Sequence, residues 1–219
     1  MGQSLDRNRP RHIAIEGPIG VGKTSLVRLL ADRMNARSIF EQASDNPFLD
    51  KFYKDRQRYA FQTQIFFLLS RYRQQRDLIQ QDLFARSTVC DYLFAKDKIF
   101  AYLNLDETEL RLYEQLYDLL DAELVKPDLV IYLVAEPQVL VERIRHRNHS
   151  YERHLTVDYL KQLSAAYSRF FFTYDASPLL VVNTSDIDFV HNNDDFESLV
   201  EQVLTHRLGT KQFIPLGSG

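Results

Sequence analysis

The sequence predicts an α/β fold in which a parallel β-sheet carries helices on both faces. Short apolar stretches of strand length alternate with segments of helical periodicity about five times, a pattern typical of βαβ units. A glycine-rich motif also lies between the first predicted strand and the first predicted helix. Phosphate groups bind at such junctions, because the helix presents unpaired N–H groups and the positive end of its dipole.

The strands are predicted from short apolar stretches bounded by turn residues. Residues 129–134, Leu-Val-Ile-Tyr-Leu-Val, form the clearest buried strand, because all of them are apolar and Pro127-Asp128 precedes them. The predicted strands are, in order, residues 12–16, 36–40, 87–90, 129–134 and 179–182.

The helices between these strands are predicted from apolar residues at helical spacing. Asp45-Asn46-Pro47 is predicted to be a turn that begins a short helix, whose apolar face includes Phe48 and Phe52. The longest predicted helix carries apolar residues such as Ile65 and Leu68. Besides the short helix, the predicted helices are residues 24–35, 57–81, 96–103, 108–120, 137–143, 157–174 and 195–208.

The glycine-rich motif matches the phosphate-binding loop pattern G-x-x-x-x-G-K-[ST]. Its glycines allow a tight turn with N–H groups pointing inward at phosphate oxygens. Lys23 is expected to reach the β- and γ-phosphates of ATP, and Thr24 to hold Mg²⁺. A turn without a ligand is disfavoured, because a strand precedes the motif and a helical pattern follows it. The residues expected to bind the nucleotide are Gly17, Pro18, Ile19, Gly20, Val21, Gly22, Lys23, Thr24 and Ser25.

The composition is that of an ordinary globular chain with 45% hydrophobic residues and a formal net charge of -3. This charge gives no general attraction to nucleic acid or to anionic membranes. No apolar stretch reaches the ~18 residues of a membrane span, so a cytoplasmic location is expected. We expect a polar arm over residues 1–10, a single domain over residues 11–208 and a flexible tail over residues 209–219.

Charged residues follow several predicted strands, at the edge of a parallel sheet where ligands bind. Glu41 follows the second strand, Asp91 follows the third, and a basic stretch covers residues 143–153. Phosphoryl transfer requires these features, namely a carboxylate for the acceptor, positive charge for the moving group and a lid against water. Arg143 and Arg147 share a helix face at i,i+4 spacing and are expected to converge on phosphates. The alternative for this stretch is a solvated helix end.

Several short motifs resemble a known family when they are taken together and in order. They include Ile15-Glu16-Gly17, Glu41 followed by Asn46-Pro47-Phe48-Leu49, Ser70-Arg71, Asp91-Tyr92-Leu93-Phe94 and Pro127-Asp128-Leu129. The chain resembles the deoxynucleoside kinases of the deoxycytidine/deoxyguanosine kinase type over nearly its whole length. It is most similar to the bacterial deoxyadenosine/deoxyguanosine members. The resemblance implies a P-loop NTPase-like three-layer α/β/α fold with a five-stranded parallel sheet and a basic lid.

The resemblance also implies roles for residues near the sugar. Glu41 resembles the carboxylate that meets the nucleoside 5′-hydroxyl, and Asp91 resembles the acid that lies near Mg²⁺. Tyr53 and Glu152 resemble the pair that holds the 3′-hydroxyl.

For the base, Gln64 resembles the amide that reads the base edge, and its donor and acceptor suit adenine, cytosine or guanine. Gln62 is the alternative register. Arg71 and Asp97 resemble a coupled pair that touches the base in purine-accepting members, and Phe100 resembles the ring stacked over it. On the donor side, Asp188-Phe189 resembles the loop beside the ATP adenine.

One position departs from the family pattern. Many relatives have an acidic residue followed directly by Arg after the third strand, but here Tyr92 follows Asp91. Arg86, Lys96 or a lid arginine are the candidates to supply the missing positive charge. The same departure counts against a thymidylate-kinase-like enzyme, which needs Asp-Arg at this point to hold an acceptor phosphate.

The resemblance implies ATP- and Mg²⁺-dependent phosphorylation of the 5′-hydroxyl of deoxynucleosides in nucleotide salvage. Deoxyadenosine and deoxyguanosine are the expected substrates, and deoxycytidine is the alternative because it can use the same residues. The relatives suggest a homodimer packed through the long helices. The rival interpretations are a thymidylate-kinase-like nucleoside monophosphate kinase and a non-catalytic nucleotide-binding protein.

Overall fold

In the part of the chain that the structure describes, six strands form one sheet in which every neighbouring pair is parallel. The computed structural model describes residues 9–81, 87–147, 155–185 and 187–213. The strands are β1 (His12–Glu16), β2 (Arg37–Ile39), β3 (Thr88–Cys90), β4 (Leu129–Val134), β5 (Leu179–Asn183) and β6 (Thr210–Phe213). Their order in the sheet is β2-β3-β1-β4-β5-β6, so the strand before the glycine-rich motif lies near the centre.

The helices lie close to the positions that the sequence predicts. They are α1 (Lys23–Met34), α2 (Leu49–Lys54), α3 (Arg56–Gln81), α4 (Asp97–Asn104), α5 (Glu107–Asp121), α6 (Pro137–Arg147), α7 (Val157–Phe172) and α8 (Asn193–Thr205). Helix α6 continues to Arg147, one turn beyond the predicted end at residue 143. In the described part of the chain, no helix is long and apolar enough to cross a membrane.

Helices cover both faces of the sheet because the central strands bury side chains on both sides. On one face, Ile131 and Leu133 of β4 pack with apolar residues of α1 and α8. On the other face, Val130 and Tyr132 of the same strand pack with α2, α3, α4 and α7. The predicted three-layer α/β/α fold is confirmed.

The sixth strand corrects the prediction of five strands and of a flexible tail from residue 209. Thr210–Phe213 pairs in parallel with β5 through residues 179–182. Three of its four residues are exposed and its sequence, Thr-Lys-Gln-Phe, has little apolar character. Because the strand joins the sheet mainly through its backbone, the hydrophobic pattern gave no signal for it. Residues 1–8, in the predicted arm, and residues 214–219 of the tail lie outside the described residues.

The parallel arrangement brings the ends of neighbouring strands to one edge of the sheet. Gly17 begins the turn after β1, Glu41 follows β2, and Asp91 follows β3. Since β1 and β2 both pair with β3, these residues lie side by side although they are far apart in sequence. The fold therefore assembles the predicted site at this edge.

The backbone at Gly17 lies too close to β4 to leave room for a side chain, and a substitution can test this. Its φ is +153°, and a Cβ there would lie 2.4 Å from the carbonyl oxygen of Leu133 in β4. We expect Gly17→Ala to lower the free energy of unfolding by about 3 kcal/mol or more, because backbone atoms must move. Urea denaturation followed by circular dichroism measures this loss.

Gly209→Ala is the matched control, because Gly209 also has a positive φ of +66° but has open space around its Cβ position. It is expected to cost only about 1 kcal/mol. Equal losses in the two variants would contradict the role given to the close approach of Leu133.

Candidate active site

A single continuous cavity of about 1180 Å³ lies at the edge where the strands end. One end is lined by the glycine-rich turn from Ile19 to Ser25. The other end is lined by helices α2, α3 and α4, with aromatic residues that include Phe52, Phe67 and Phe100. The cavity thus has a phosphate-binding end and an apolar end of a kind suited to a flat ring.

Lys23 lies within the glycine-rich turn and is held by its backbone. Its Nζ atom donates to the carbonyl oxygens of Gly17 at 2.7 Å and Pro18 at 3.2 Å. Removal from water lowers the pKa of Lys23, although nearby Glu16 opposes the shift. The ammonium is therefore placed at the phosphate-binding end, where an anionic ligand can compete for its protons.

Thr24 and Asp91 form the part of the site that suits a divalent cation. The Thr24 hydroxyl donates to Asp91 Oδ2 at 2.5 Å. The other carboxylate oxygen, Oδ1, is buried and has no hydrogen-bond partner among the described residues. Burial raises the pKa of Asp91 to about 6. A hydroxyl and an unpaired carboxylate oxygen are the hard ligands that Mg²⁺ takes from proteins, so these residues fit the ion.

Behind these groups runs a buried chain of alternating charges, Glu16, Lys96, Glu41, Arg71 and Asp97. Lys96 Nζ lies 3.8 Å from Glu16 Oε2 and 3.0 Å from Glu41 Oε2. Arg71 donates to Glu41 Oε1, through Nε at 2.8 Å and through Nη2, and its Nη1 donates to Asp97. Each charge is thus paired with an opposite one, which is the condition for burying charges at acceptable cost.

Glu41 lines the cavity and has the most exposed side chain of these five residues. Burial disfavours its charged form, but attraction to Arg71 and Lys96 outweighs that effect and lowers the pKa of Glu41 to about 2. Glu41 is therefore ionised across the physiological range. A fixed carboxylate of this kind can orient a hydroxyl group and accept its proton as the proton leaves.

The apolar end of the cavity carries a connected polar set. Gln64 Nε2 donates to the backbone oxygen of Asp97 at 2.8 Å and also to the Asp97 carboxylate. Arg71 lies 4.8 Å from the centre of the Phe67 ring. Gln64 is buried and lines the cavity, whereas Gln62, the alternative register, is exposed.

The predicted ring and sugar residues also face this space. Tyr53 and Phe100 line the cavity. Phe100 makes an edge contact with Tyr167, with ring centres 6.2 Å apart. The polar set is therefore enclosed by aromatic walls.

The predicted donor-side residues lie around the glycine-rich turn. Arg143 of α6 donates to the carbonyl oxygens of Val21 at 3.3 Å and Thr184 at 2.8 Å. Burial lowers its pKa. The Asp188 carboxylate accepts the backbone N–H groups of Val190 and His191, both at 3.1 Å, so it holds its own turn together. The Phe189 ring packs against Gly22.

Three predicted or candidate residues fall outside what the structure describes. Glu152 and Arg86 lie in segments 148–154 and 82–86, which are outside the described residues, as does most of the predicted basic lid. Arg147 is the last residue of α6, and its side chain is also outside them. Among the candidates to replace the missing Arg that lie in the described part of the chain, Lys96 contacts Glu41.

Two site residues were missed by the sequence reasoning. Glu16 is fully buried and accepts the N–H groups of Gly17 at 3.0 Å and Leu93 at 2.9 Å. Tyr167 of α7 lines the cavity and donates to Glu16 at 3.0 Å. Glu16 ends a strand at the ligand-binding edge, so the rule that selected Glu41 and Asp91 also applied to it. Tyr167 lies on the apolar face of its helix and gave no such signal.

The fold and the site define a phosphotransferase of the P-loop kinase class. The chain belongs to the deoxynucleoside kinase family, whose family model matches residues 13–208. The family resemblance found in the sequence is therefore confirmed. The chain is a kinase of deoxynucleosides, and the thymidylate-kinase-like and non-catalytic alternatives are not favoured.

Individual relatives agree with this assignment. The chain is 38% identical to a deoxyguanosine kinase of Bacillus subtilis (strain 168) over 90% of this chain and 97% of that protein. It is 39% identical to a deoxyadenosine kinase of Dictyostelium discoideum over 80% of this chain and 73% of that protein. A solved structure of deoxyadenosine kinase from M. mycoides with dCMP and dCDP has a TM-score of 0.73 at 25% identity, over 87% of this chain and 97% of that one.

Arg71 is the residue on which the buried charges depend, since it pairs with two carboxylates. We expect Arg71→Leu to lower the free energy of unfolding by about 3–5 kcal/mol, because Asp97 and Glu41 lose their cation. Arg73→Leu, on the exposed side of the same helix, is expected to cost less than about 0.5 kcal/mol. Urea denaturation of both variants tests this, and similar losses would contradict the importance of the buried pairs.

Proposed function

We propose that the chain transfers the γ-phosphoryl group of ATP to the 5′-hydroxyl of purine deoxynucleosides, as one kinase domain that extends through β6. The single observation that carries the substrate class is the polar set at the apolar end of the cavity, where the cavity-lining Gln64 and Arg71 are both held by the buried Asp97. Relatives named as deoxyguanosine and deoxyadenosine kinases support the same choice.

The polar set favours bases that carry an exocyclic amino group. The Gln64 amide nitrogen is already bonded to Asp97, so the Gln64 amide oxygen is the acceptor that this cavity-lining side chain can offer to a base. Both Asp97 carboxylate oxygens already accept, one from Gln64 and one from Arg71, so Asp97 holds these two side chains in place. Adenine, guanine and cytosine can each donate an amino N–H to the Gln64 amide oxygen. Thymine has no amino group, so it has only N3–H to donate, and its O4 acceptor stands where adenine and cytosine carry the amino group. A buried site discriminates against a ligand that leaves polar groups unpaired.

Glu41 is proposed to bind the 5′-hydroxyl, since it lines the cavity between the phosphate-binding turn and the polar set around Gln64. Tyr53, which lines the cavity, and Glu152 are proposed to hold the 3′-hydroxyl. Phe100 is proposed to stack on the base. These contacts orient the 5′-oxygen toward the phosphate end. Such positioning of the reacting atoms uses binding energy to lower the activation barrier.

The donor phosphates are proposed to lie in the glycine-rich turn, where Lys23 and the N-terminus of α1 supply positive charge. Thr24 and Asp91 would hold Mg²⁺, which neutralises charge on the β- and γ-phosphates. Arg143 and Arg147 are proposed to contact the transferred group, and the turn at Asp188-Phe189 to lie beside the adenine. Support for Arg143 comes from its position between Val21 and Thr184 at the cavity wall.

In the proposed reaction the 5′-oxygen forms a bond to the γ-phosphorus as the bond to the β,γ-bridging oxygen breaks. The hydroxyl proton passes to the Glu41 carboxylate, and ADP departs with the bond's electron pair. The low pKa of Glu41 means that its carboxylate is always available but is a weak base by itself. Its contribution depends on position and on the charges around it.

We also propose an oligomeric state and a cellular location for the protein. We propose a homodimer formed through the long helices, because Leu69 of α3 and Leu112 and Leu119 of α5 are exposed apolar residues. A cytoplasmic location is compatible with Cys90, a buried thiol whose pKa burial raises to about 12.

The substrate proposal is tested with a panel of the four deoxynucleosides and their ribonucleoside counterparts, with ATP and Mg²⁺. We expect kcat/KM for deoxyguanosine or deoxyadenosine to exceed that for thymidine by about 100-fold or more, because thymine has no exocyclic amino group to donate to the Gln64 amide oxygen. Release of ADP measures turnover. A larger kcat/KM for thymidine than for every other deoxynucleoside would overturn the proposal.

The roles of the two carboxylates are tested with isosteric amides. Glu41→Gln should lower kcat by about 10²–10⁴-fold with nearly unchanged ATP–Mg²⁺ affinity, because it removes the proton acceptor and leaves the residues proposed to bind ATP and Mg²⁺ in place. Asp91→Asn should also raise the Mg²⁺ concentration needed for half-maximal rate. Initial rates across a Mg²⁺ series separate the two. If only Glu41→Gln altered the Mg²⁺ dependence, the roles would have to be exchanged.

A further inference from the structure

Lys96 is a buried cation beside the reaction centre for which the proposed mechanism gives no role. It is the last residue of a short 3₁₀ turn, Phe94–Lys96, and its side chain is only 3% exposed. It nevertheless lines the cavity. Its ammonium also lies close enough to Lys23 to lower the pKa of that residue by repulsion, as a minor contribution beside burial. Two cations that line the cavity thus lie near the same two carboxylates, Glu16 and Glu41.

The ammonium of Lys96 has hydrogen-bonding capacity to spare. A lysine carries three N–H donors. Among the described residues, one hydrogen bond from Nζ is formed, to Glu41 at 3.0 Å, and the contact with Glu16 at 3.8 Å is too long to be another. Arg71 differs, because its guanidinium is held by Glu41 on one side and by Asp97 on the other. Lys96 is therefore the buried cation that is able to accept a new anionic partner.

The backbone around Lys96 keeps it at this position. Glu16 accepts the N–H of Leu93, and the N–H of Lys96 itself donates to the Leu93 carbonyl at 3.1 Å. Since Glu16 also accepts the N–H of Gly17, a single carboxylate fixes both the start of the glycine-rich turn and the turn that carries Lys96. The distance between the phosphate end and the Lys96 ammonium is thus set by the fold.

We propose that Lys96 is a catalytic residue that contacts the transferred phosphoryl group on its nucleoside side. This role rests on the proposed kinase reaction and extends it. The ammonium pairs with Glu41 in the free enzyme and donates a hydrogen bond to a phosphoryl oxygen as that group moves toward the 5′-oxygen. No proton leaves Lys96, because the hydroxyl proton goes to Glu41 and the bond to the bridging oxygen breaks as described above.

The consequence for Glu41 is that its surroundings change as the phosphoryl group arrives. Lys96 and Arg71 together hold the pKa of Glu41 down in the free enzyme. Sharing the ammonium with the phosphoryl group weakens one of these two attractions, so the pKa of Glu41 rises toward its ordinary value. Glu41 then becomes a better proton acceptor at the stage when the 5′-hydroxyl must lose its proton.

Binding of product and substrate distinguishes this role from a structural one. Calorimetry in the absence of ATP compares deoxyguanosine with deoxyguanosine 5′-monophosphate, which differ by the phosphoryl group. We expect Lys96→Gln to weaken binding of the monophosphate by about 10- to 100-fold, because a charged hydrogen bond is lost. Binding of deoxyguanosine should change by less than about threefold, since the nucleoside has no phosphoryl group to meet Lys96.

Lys98→Gln is the matched control, because Lys98 lies two residues further on, is partly exposed and faces Asp118 and the Tyr117 ring. It should alter neither affinity. Equal weakening of both ligands by Lys96→Gln, or unchanged affinity for the monophosphate, would overturn the role of Lys96. Failure of the unmodified protein to bind either deoxyguanosine or deoxyadenosine would instead overturn the proposed substrate class, and with it the reaction on which this role rests.

If Lys96→Gln does not fold, a crystal structure of the unmodified protein with deoxyguanosine 5′-monophosphate provides the test. The expected result is Lys96 Nζ within about 3.2 Å of a phosphate oxygen. A phosphate held only by other residues, with Lys96 still confined to Glu41 and Glu16, would overturn the proposal.

Discussion

The buried alternation of charge from Glu16 through Lys96, Glu41 and Arg71 to Asp97 is the constraint on which the site depends. Charges removed from water are costly unless each has a partner and the remaining donors and acceptors are satisfied. Here the partners come from β1, from the segments after β2 and β3, and from α3 and α4. Electrostatic pairing thus fixes the relative position of elements that are far apart in sequence, and it does so at the ligand cavity.

This arrangement joins the two tasks of the enzyme. Arg71 touches both Asp97, which holds the proposed base-binding Gln64, and Glu41, which is proposed to meet the 5′-hydroxyl. In the proposed reaction, a base that displaces Gln64 or Asp97 also disturbs the carboxylate at the reacting end. Base recognition and chemical activation would then share one guanidinium, so a change that relaxes base recognition is expected to alter turnover as well.

The sequence predicts those parts of the molecule that depend on the spacing of apolar residues or on a local residue motif. Residues 129–134 are a strand because both faces are buried, and the glycine-rich motif is recognisable because phosphate binding demands those residue types at that spacing. Strand β6 could not be predicted, because exposed Thr210 and Lys211 pair through backbone groups that carry no sequence signal. The pairing of Lys96 with Glu41 depends on how a short turn packs against two strands, and spacing along the chain does not contain that information.

Strand β6 also bears on how the molecule behaves among its own copies. Without it, β5 would end the sheet with an open row of backbone donors and acceptors and with apolar residues such as Leu180 and Val182. Such an edge is a template for pairing with another chain and hence for aggregation. The replacement edge is short, polar and carries Lys211, whose charge opposes close approach by a second strand. Four residues with no evident part in catalysis thus protect the colloidal stability of the enzyme.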